Sequence, residues 1–381
     1  MISNFKKILL NSSILAGTII GAGIFSLPYV FNKAGFLISA VYLVILAAAF
    51  IFLYLLYADT VLMTPLKHRF VGESRMYLGL FGYGTAILTA VAGMVLVLTV
   101  YLILSPSFIN LIFAKSVNNH FLALIIFWLF GSLGILLGMR AIGFEEVLMS
   151  VGIVLIVAVL FFLGIDQFKW VAFTKWQPSY FFLPYGPLLF ALAGRVAIPE
   201  ITRRFNKTPQ DRCLLKKSII FGVILSVIVY LAFVLAVTGL SGGSTGTTAD
   251  AVSGLLNILS REVLVILGVL GVFTLLSSYI IIGLNVKEIL RFDFKIPKWL
   301  STLSVVLAPI LLYLIGLRHF LPLVSFIGGV FIALEGVLII LMWRQSSKIR
   351  GTVLFSHLPK FLLYILLVIF SLGIVYQIAF L

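Results

Sequence analysis

Runs of about 20 apolar residues recur along the whole chain, divided by short polar or basic stretches. Each run is long enough to cross a bilayer as a helix, so the pattern predicts about eleven spans. They fall at 11–31, 36–62, 79–104, 121–139, 144–164, 181–201, 218–240, 262–285, 300–316, 321–343 and 358–380. Little sequence is left for a separate soluble domain. The predicted fold class is therefore all-α and integral to a membrane.

Two of these runs contain residues that damage an ordinary helix. The first holds "AGTIIGAGIFSLPYVF", with Gly17, Gly21, Gly23 and then Pro28. The sixth holds "FALAGRVAIPEI", with Gly194 and then Pro199. In each, a glycine precedes three residues, then Leu or Ile, then proline. The sixth run opens the second half of the first ten, so the two segments cross in opposite directions. Paired interrupted helices in corresponding halves point to a transporter binding site. Small residues at ordinary helix contacts are the other reading. The halves would be repeat one, about 11–165, and repeat two, about 181–343, with an extra helix at 358–380.

Composition agrees with the membrane reading. The chain of 381 residues is 62% hydrophobic and 10% charged, where soluble proteins carry about 25% charge and 45–50% apolar residues. The basic stretch before the first run resembles a signal peptide, but no cleavage site follows, so a retained span is expected. The formal net charge of +15 would indicate nucleic acid on a soluble protein. Here its distribution argues against a nucleic-acid partner. With the N-terminus inside, about twenty Lys and Arg fall inside and six outside, and Arg195 lies within a span. Basicity thus reports orientation, with the N-terminus cytoplasmic and the C-terminus outside; contact with anionic lipid is secondary.

The connections carry little chemistry. "RRFNKTPQDRCLLKKS", Arg203 to Ser218, is expected as a short basic surface helix. Asp166 to Tyr180 offers Trp170 and Trp176 to an interface. Ser241 to Glu262 begins as a Gly/Ser/Thr loop, with a short helix expected at Ala251 to Leu259. Its glycines lack the Lys-Ser/Thr ending of a phosphate loop. The lone Cys213 excludes an intramolecular disulfide. His68, His120, His319 and His357 fall in loops without metal-ligand spacing, so neither an enzyme nor a cofactor is expected.

"GTIIGAGIFSLPY" resembles the first-helix signature of the amino acid–polyamine–organocation superfamily. The sixth-span "FALAGRVAIPEI" and the following "KKSIIFGVILSVIVYLAFVLAVTG" extend the likeness over nearly the whole chain, closest to the aromatic and hydroxy amino acid permeases. The resemblance implies five-plus-five inverted repeats, helices one and six unwound at mid-membrane, and an appended eleventh helix. It implies secondary transport of aromatic or small neutral amino acids, coupled to H+ or Na+, across the cytoplasmic membrane of a prokaryote. A sensory receptor subunit of the same fold is the alternative. One position departs: tryptophan and tyrosine permeases tend to carry histidine where this chain has Arg195, and arginine releases no proton under physiological conditions.

A broken helix can hold a zwitterion on its free N–H and C=O groups alone. Carried over residue by residue, Thr18, Gly21, Ala22 and Gly23 line the first-helix side, and Ala191, Leu192, Gly194 and Arg195 the sixth. Tyr101 of the third span matches a position that covers substrate, an interfacial tyrosine being the other reading. Thr274, Ser277 and Ser278 share about one helix face. With the carbonyls of Gly17 and Ile20 they match a Na+ site of sodium-coupled relatives; hydroxyls bonded back to their own helix are the alternative. Glu335 is the main intramembrane acid, either a proton carrier or a buried structural group. Arg195 contacts substrate or tunes coupling, or it pairs with Glu200, Glu335 or Asp59, or it snorkels towards the inner face. Asp59 itself is expected at the interface.

Overall fold

The computed structural model describes residues 2–65, 69–113, 120–138, 143–164, 177–205, 208–241, 247–355 and 358–379. All regular structure among them is helical. The chain opens with α1 (Ile2–Ile19), a tight turn of 3-10 helix (Ala22–Ser26) and α2 (Leu27–Ala34). Across this break the chain bends by 53°. Pro28 sits in the first turn of α2, where its missing N–H costs nothing. Next come α3 (Phe36–Met63), α4 (Phe70–Ile87), a π-helical turn (Leu88–Gly93) and α5 (Met94–Phe113). Then follow α6 (His120–Leu137) and α7 (Gly143–Gly164).

The second half begins with two short helices, α8 (Tyr185–Ala191) and α9 (Ala197–Arg203), which flank residues 192–196. It continues through α10 (Pro209–Leu240), α11 (Arg261–Phe292) and α12 (Lys298–Ile315). A third interrupted run joins α13 (Phe320–Phe326), a second π-helical turn (Ile327–Ile332) and α14 (Ala333–Arg350). The last helix is α15 (Lys360–Ala379).

Among the described residues, eight helices or helix runs are long and apolar enough to cross a membrane, and the bent α1–α2 pair makes a ninth. The remaining sequence-predicted spans fall on α7, whose Gly152–Gly164 stretch is apolar, and on the α8–α9 pair. Seven residues per half-helix cannot span alone at 1.5 Å per residue.

α3 is the central post. Every residue from Leu53 to Met63 is buried, so this half of the helix is enclosed all round, as a helix without a polar face must be. α1 packs on α10, α5 on α11, and α14 on α3. The outward faces of α6, α12 and α15 expose Leu, Ile, Phe and Val, for example Leu137, Ile315 and Phe361. Such surfaces need lipid rather than water around them.

Three expectations change. Asp59 is not interfacial but fully buried. Its carboxylate accepts from Trp343 Nε1 (2.8 Å) and from the Val353 and Leu354 N–H groups (2.9 and 2.7 Å). It thereby ties α3 to the chain leaving α14, and the three donors offset its desolvation. The stretch 203–218 forms no separate surface helix. Thr208 caps α10 by accepting from the Asp211 N–H (3.2 Å), Pro209 fits the first turn, and nothing stops the helix before the span. Only Ser253–Leu255 of the expected 251–259 helix is helical, as a single turn, because Ala251 has a left-handed φ of 56°. Trp170, Trp176, His68 and His357 lie outside the described residues.

Candidate functional site

The two breaks meet each other. Gly23 packs so closely on α8 that a Cβ there would lie 2.6 Å from the Ala191 Cα. Gly194 packs in turn on the Ile19 side chain. No other residue could occupy Gly23 without moving backbone, which explains glycine at that position better than freedom of φ does. Two buried tyrosines fasten the broken ends. The Tyr230 hydroxyl of α10 lies within donating distance of both the Ile19 carbonyl (2.9 Å) and the Ala191 carbonyl (2.5 Å). The Tyr54 hydroxyl of α3 donates to the Leu192 carbonyl (2.6 Å) and accepts from the Gly194 N–H. Both tyrosines are at most 1% exposed. Helix ends buried away from water need such partners.

A cavity of about 210 Å³ opens beside this junction. It is smaller than the ~300–1,000 Å³ pockets of drug-sized ligands, in keeping with a small metabolite. Of the fifteen site residues expected from sequence, thirteen line it: Gly17, Thr18, Ile20, Gly21, Ala22 and Gly23 from the first break; Gly194 and Arg195 from the second; Tyr101 from α5; Thr274, Ser277 and Ser278 from α11; and Glu335 from α14. Ala191 and Leu192 do not line it. Their carbonyls are taken by Tyr230 and Tyr54, so they brace the break rather than face the cavity.

The polar groups around the cavity have distinct duties. Thr18 spends its hydroxyl proton on the Ile14 carbonyl of its own helix (2.9 Å). Among the described residues, no backbone N–H donates to the Gly17 or Ile20 carbonyl. The Tyr101 hydroxyl faces the Ala22 backbone and Ser278, and lies 3.2 Å from where a Cβ on Gly21 would stand. It closes the cavity wall over the first break. Arg195 forms a two-pronged ion pair with Glu335, Nε to Oε2 at 2.8 Å and Nη2 to Oε1 at 3.0 Å, each side chain 11% exposed. Its guanidinium also lies 4.0 Å from the centre of the Phe70 ring. Of the pairings considered for Arg195, the structure therefore selects Glu335. Glu200 pairs instead with Arg204, one turn along (2.6 Å).

The apolar wall comes from Phe50, Leu53, Met94, Val97, Phe190 and Phe331, among others. Both π-helical turns reach this wall, through Thr89 and Gly93 on one and Ile327, Phe331 and Ile332 on the other. A Cβ on Gly93 would lie 3.3 Å from the Phe331 ring, so the two turns touch. Wide turns of this kind often mark functional positions.

The tryptophan/tyrosine permease family model matches residues 4–379. The chain belongs to that family. It is an integral membrane permease for amino acids, not an enzyme. No curated protein matches it in sequence. Solved structures show the same transporter fold. MhsT, solved with L-phenylalanine, is 16% identical over 97% of this chain and 98% of its own, with a TM-score of 0.65. Mhp1, a nucleobase-cation-symport-1 family transporter in a closed conformation with bromovinylhydantoin, is 12% identical over 98% and 90%, with a TM-score of 0.63. The Eremococcus coleocola manganese transporter, bound to an aromatic bis-isothiourea compound, is 19% identical over 98% and 88%, with a TM-score of 0.64. At these identities the likeness concerns the fold.

Sequence reasoning missed Tyr54, Tyr230 and Phe70. The tyrosines sit 138 and 39 residues from the α8 carbonyls they hold, a separation no local pattern records.

Proposed function

We propose that this permease carries an amino acid zwitterion, aromatic or small and neutral, by symport with H+ or Na+ through alternating access. The observation that carries this reading is the cavity at the junction of two broken helices, walled by apolar side chains. Gly21, Ala22 and Gly23 at the start of the 3-10 turn line the cavity, and backbone N–H groups there would take the carboxylate. The ammonium would be taken by carbonyls of the first break, since those of Ala191 and Leu192 are occupied. Arg195 is neutralised by Glu335, which favours a tuning role over direct capture of the substrate carboxylate. The hydroxyls of Thr274 and Ser277, with the Gly17 and Ile20 carbonyls, offer the hard oxygens a Na+ would need.

The proposal includes eleven spans, repeats at about 11–165 and 181–343, and an appended helix at about 358–380. It places the protein in the cytoplasmic membrane of a prokaryote, with the N-terminus inside and the C-terminus outside, an orientation that the distribution of basic residues supports. Purified protein in lipid vesicles, given labelled L-tryptophan, L-tyrosine and L-serine under separate pH and sodium gradients, tests it. Accumulation above the gradient-free level is expected for at least one of them. Binding without accumulation under either gradient would favour the sensory subunit instead.

A further inference from the structure

A second buried carboxyl lies close to the Arg195–Glu335 pair. Glu73 of α4 is 1% exposed, and its Oε2 has no hydrogen-bond partner. It stands three residues beyond Phe70, the ring under the Arg195 guanidinium. Three residues advance a helix by about 4.5 Å on the same face, which brings Glu73 into the neighbourhood of the arginine. The groups that face Glu73 are Tyr57 from α3, Arg195 from the break between α8 and α9, and Arg203 from α9; Glu335 of α14 is the ion-pair partner of that Arg195. The Tyr57 hydroxyl, which faces both Glu73 and Arg195, also lacks a hydrogen-bond partner.

Arg203 is exposed to solvent, so within the buried site a single guanidinium meets two carboxyls, which leaves one negative charge too many. An ionised carboxylate with one oxygen left unbonded is costly in such surroundings, and neutralisation removes that cost. We infer that Glu73 and Glu335 share a single proton and a single arginine, and that the exchange of Arg195 between them is the proton-handling step of this permease. In the arrangement seen, Arg195 holds ionised Glu335 and the proton rests on Glu73. In the other, the Glu73 O–H bond breaks, Arg195 turns to the Glu73 carboxylate, and Glu335 gains an O–H bond at the cavity wall. The proton passes by way of Tyr57 or cavity water, and the net charge of the three groups stays zero throughout. Glu335 lines the cavity and Glu73 does not, so the exchange moves the proton between a place the substrate path reaches and one it does not.

This deepens the symport reading and rests on it, so the test has two arms. In vesicles with labelled L-tyrosine or L-tryptophan, Glu73→Gln is expected to keep amino acid exchange within about twofold of wild type. It should lose tenfold or more of the accumulation driven by a pH gradient. Accumulation at the wild-type level would overturn the inference. The second arm needs no transport. The infrared carbonyl stretch of a protonated carboxyl should lose one component in Glu73→Gln, and the same component in Glu335→Gln, where Arg195 is free to pair with Glu73. If either variant retains that component unchanged, the shared proton is disproved. A wild type that exchanges no amino acid would instead refute the transport reading, leaving the infrared arm to judge the carboxyl pair.

Discussion

The two broken helices solve one problem with different means. The first break, between α1 and the turn at Ala22, carries no charged side chain and is set mainly by close packing, because Gly23 leaves no room for a side chain against Ala191, with the Tyr230 hydroxyl on the Ile19 carbonyl as a polar tie to α10. The second, at residues 192–196, is held by polar contacts: Tyr54 on both sides of the gap and Arg195 locked to Glu335. Steric contact resists displacement of backbone but lets no charge in. Polar contacts can exchange partners, at a cost only while groups are between them. The contrast assigns rigidity to the first break and adjustability to the second.

The largest effect should come from Gly23→Ala, whose Cβ meets Ala191 backbone 2.6 Å away. Vesicle uptake should fall to background. Gly194→Ala should be milder, because its added methyl meets side chains, Ile19 Cγ1 at 2.4 Å and the Tyr54 hydroxyl at 3.3 Å, rather than backbone. Equal losses in the two would erase the steric distinction. Next is Arg195→Ala, which strands Glu335 and should cost about 3–5 kcal/mol, read as the shift in thermal unfolding in detergent. Arg195→Ala combined with Glu335→Ala should recover part of that loss; a double variant less stable than the single one would contradict the pairing.

Tyr54→Phe removes a hydroxyl that serves both sides of the second gap, and about 1–3 kcal/mol is expected. Tyr230→Phe should cost a similar amount while loosening both breaks, since its hydroxyl reaches Ile19 and Ala191. Hydrogen exchange at 17–23 and 192–196 would separate them: Tyr54→Phe should expose mainly the second segment. The smallest effect belongs to Arg204→Ala. Its pair with Glu200 is a solvent-exposed one-turn contact worth about 0.3–0.5 kcal/mol, and both stability and uptake should stay near wild type.

Much of this arrangement was legible in the sequence because glycine and proline leave a signature wherever a membrane helix is interrupted. "GAGIFSLP" and "AGRVAIP" located both breaks, and the apolar runs located the helices. The groups that secure the breaks were not legible. Tyr54 and Tyr230 look like any aromatic in an apolar run, and their role follows only from which carbonyl lies opposite. Asp59 and Glu73 were hidden for another reason. Asp59 lies near the end of a predicted span and Glu73 in the predicted connection after it, where charge ordinarily meets water, yet tertiary packing seals both. Arg195 stood out as a charge at depth, but only the structure chose Glu335 among its three possible partners.

The touching π-helical turns at Leu88–Gly93 and Ile327–Ile332 bear on how such a cavity can diversify. A π turn holds an added residue within an otherwise α-helical run. Deleting one residue from such a turn restores ordinary helix while the flanking segments keep their facing and their neighbours. Gene-level insertions and deletions, usually ruinous inside a membrane helix, thus become a means of reshaping the wall beside Met94 and Phe331. Related sequences that differ in length by one residue at these two places are where altered substrate preference should be sought.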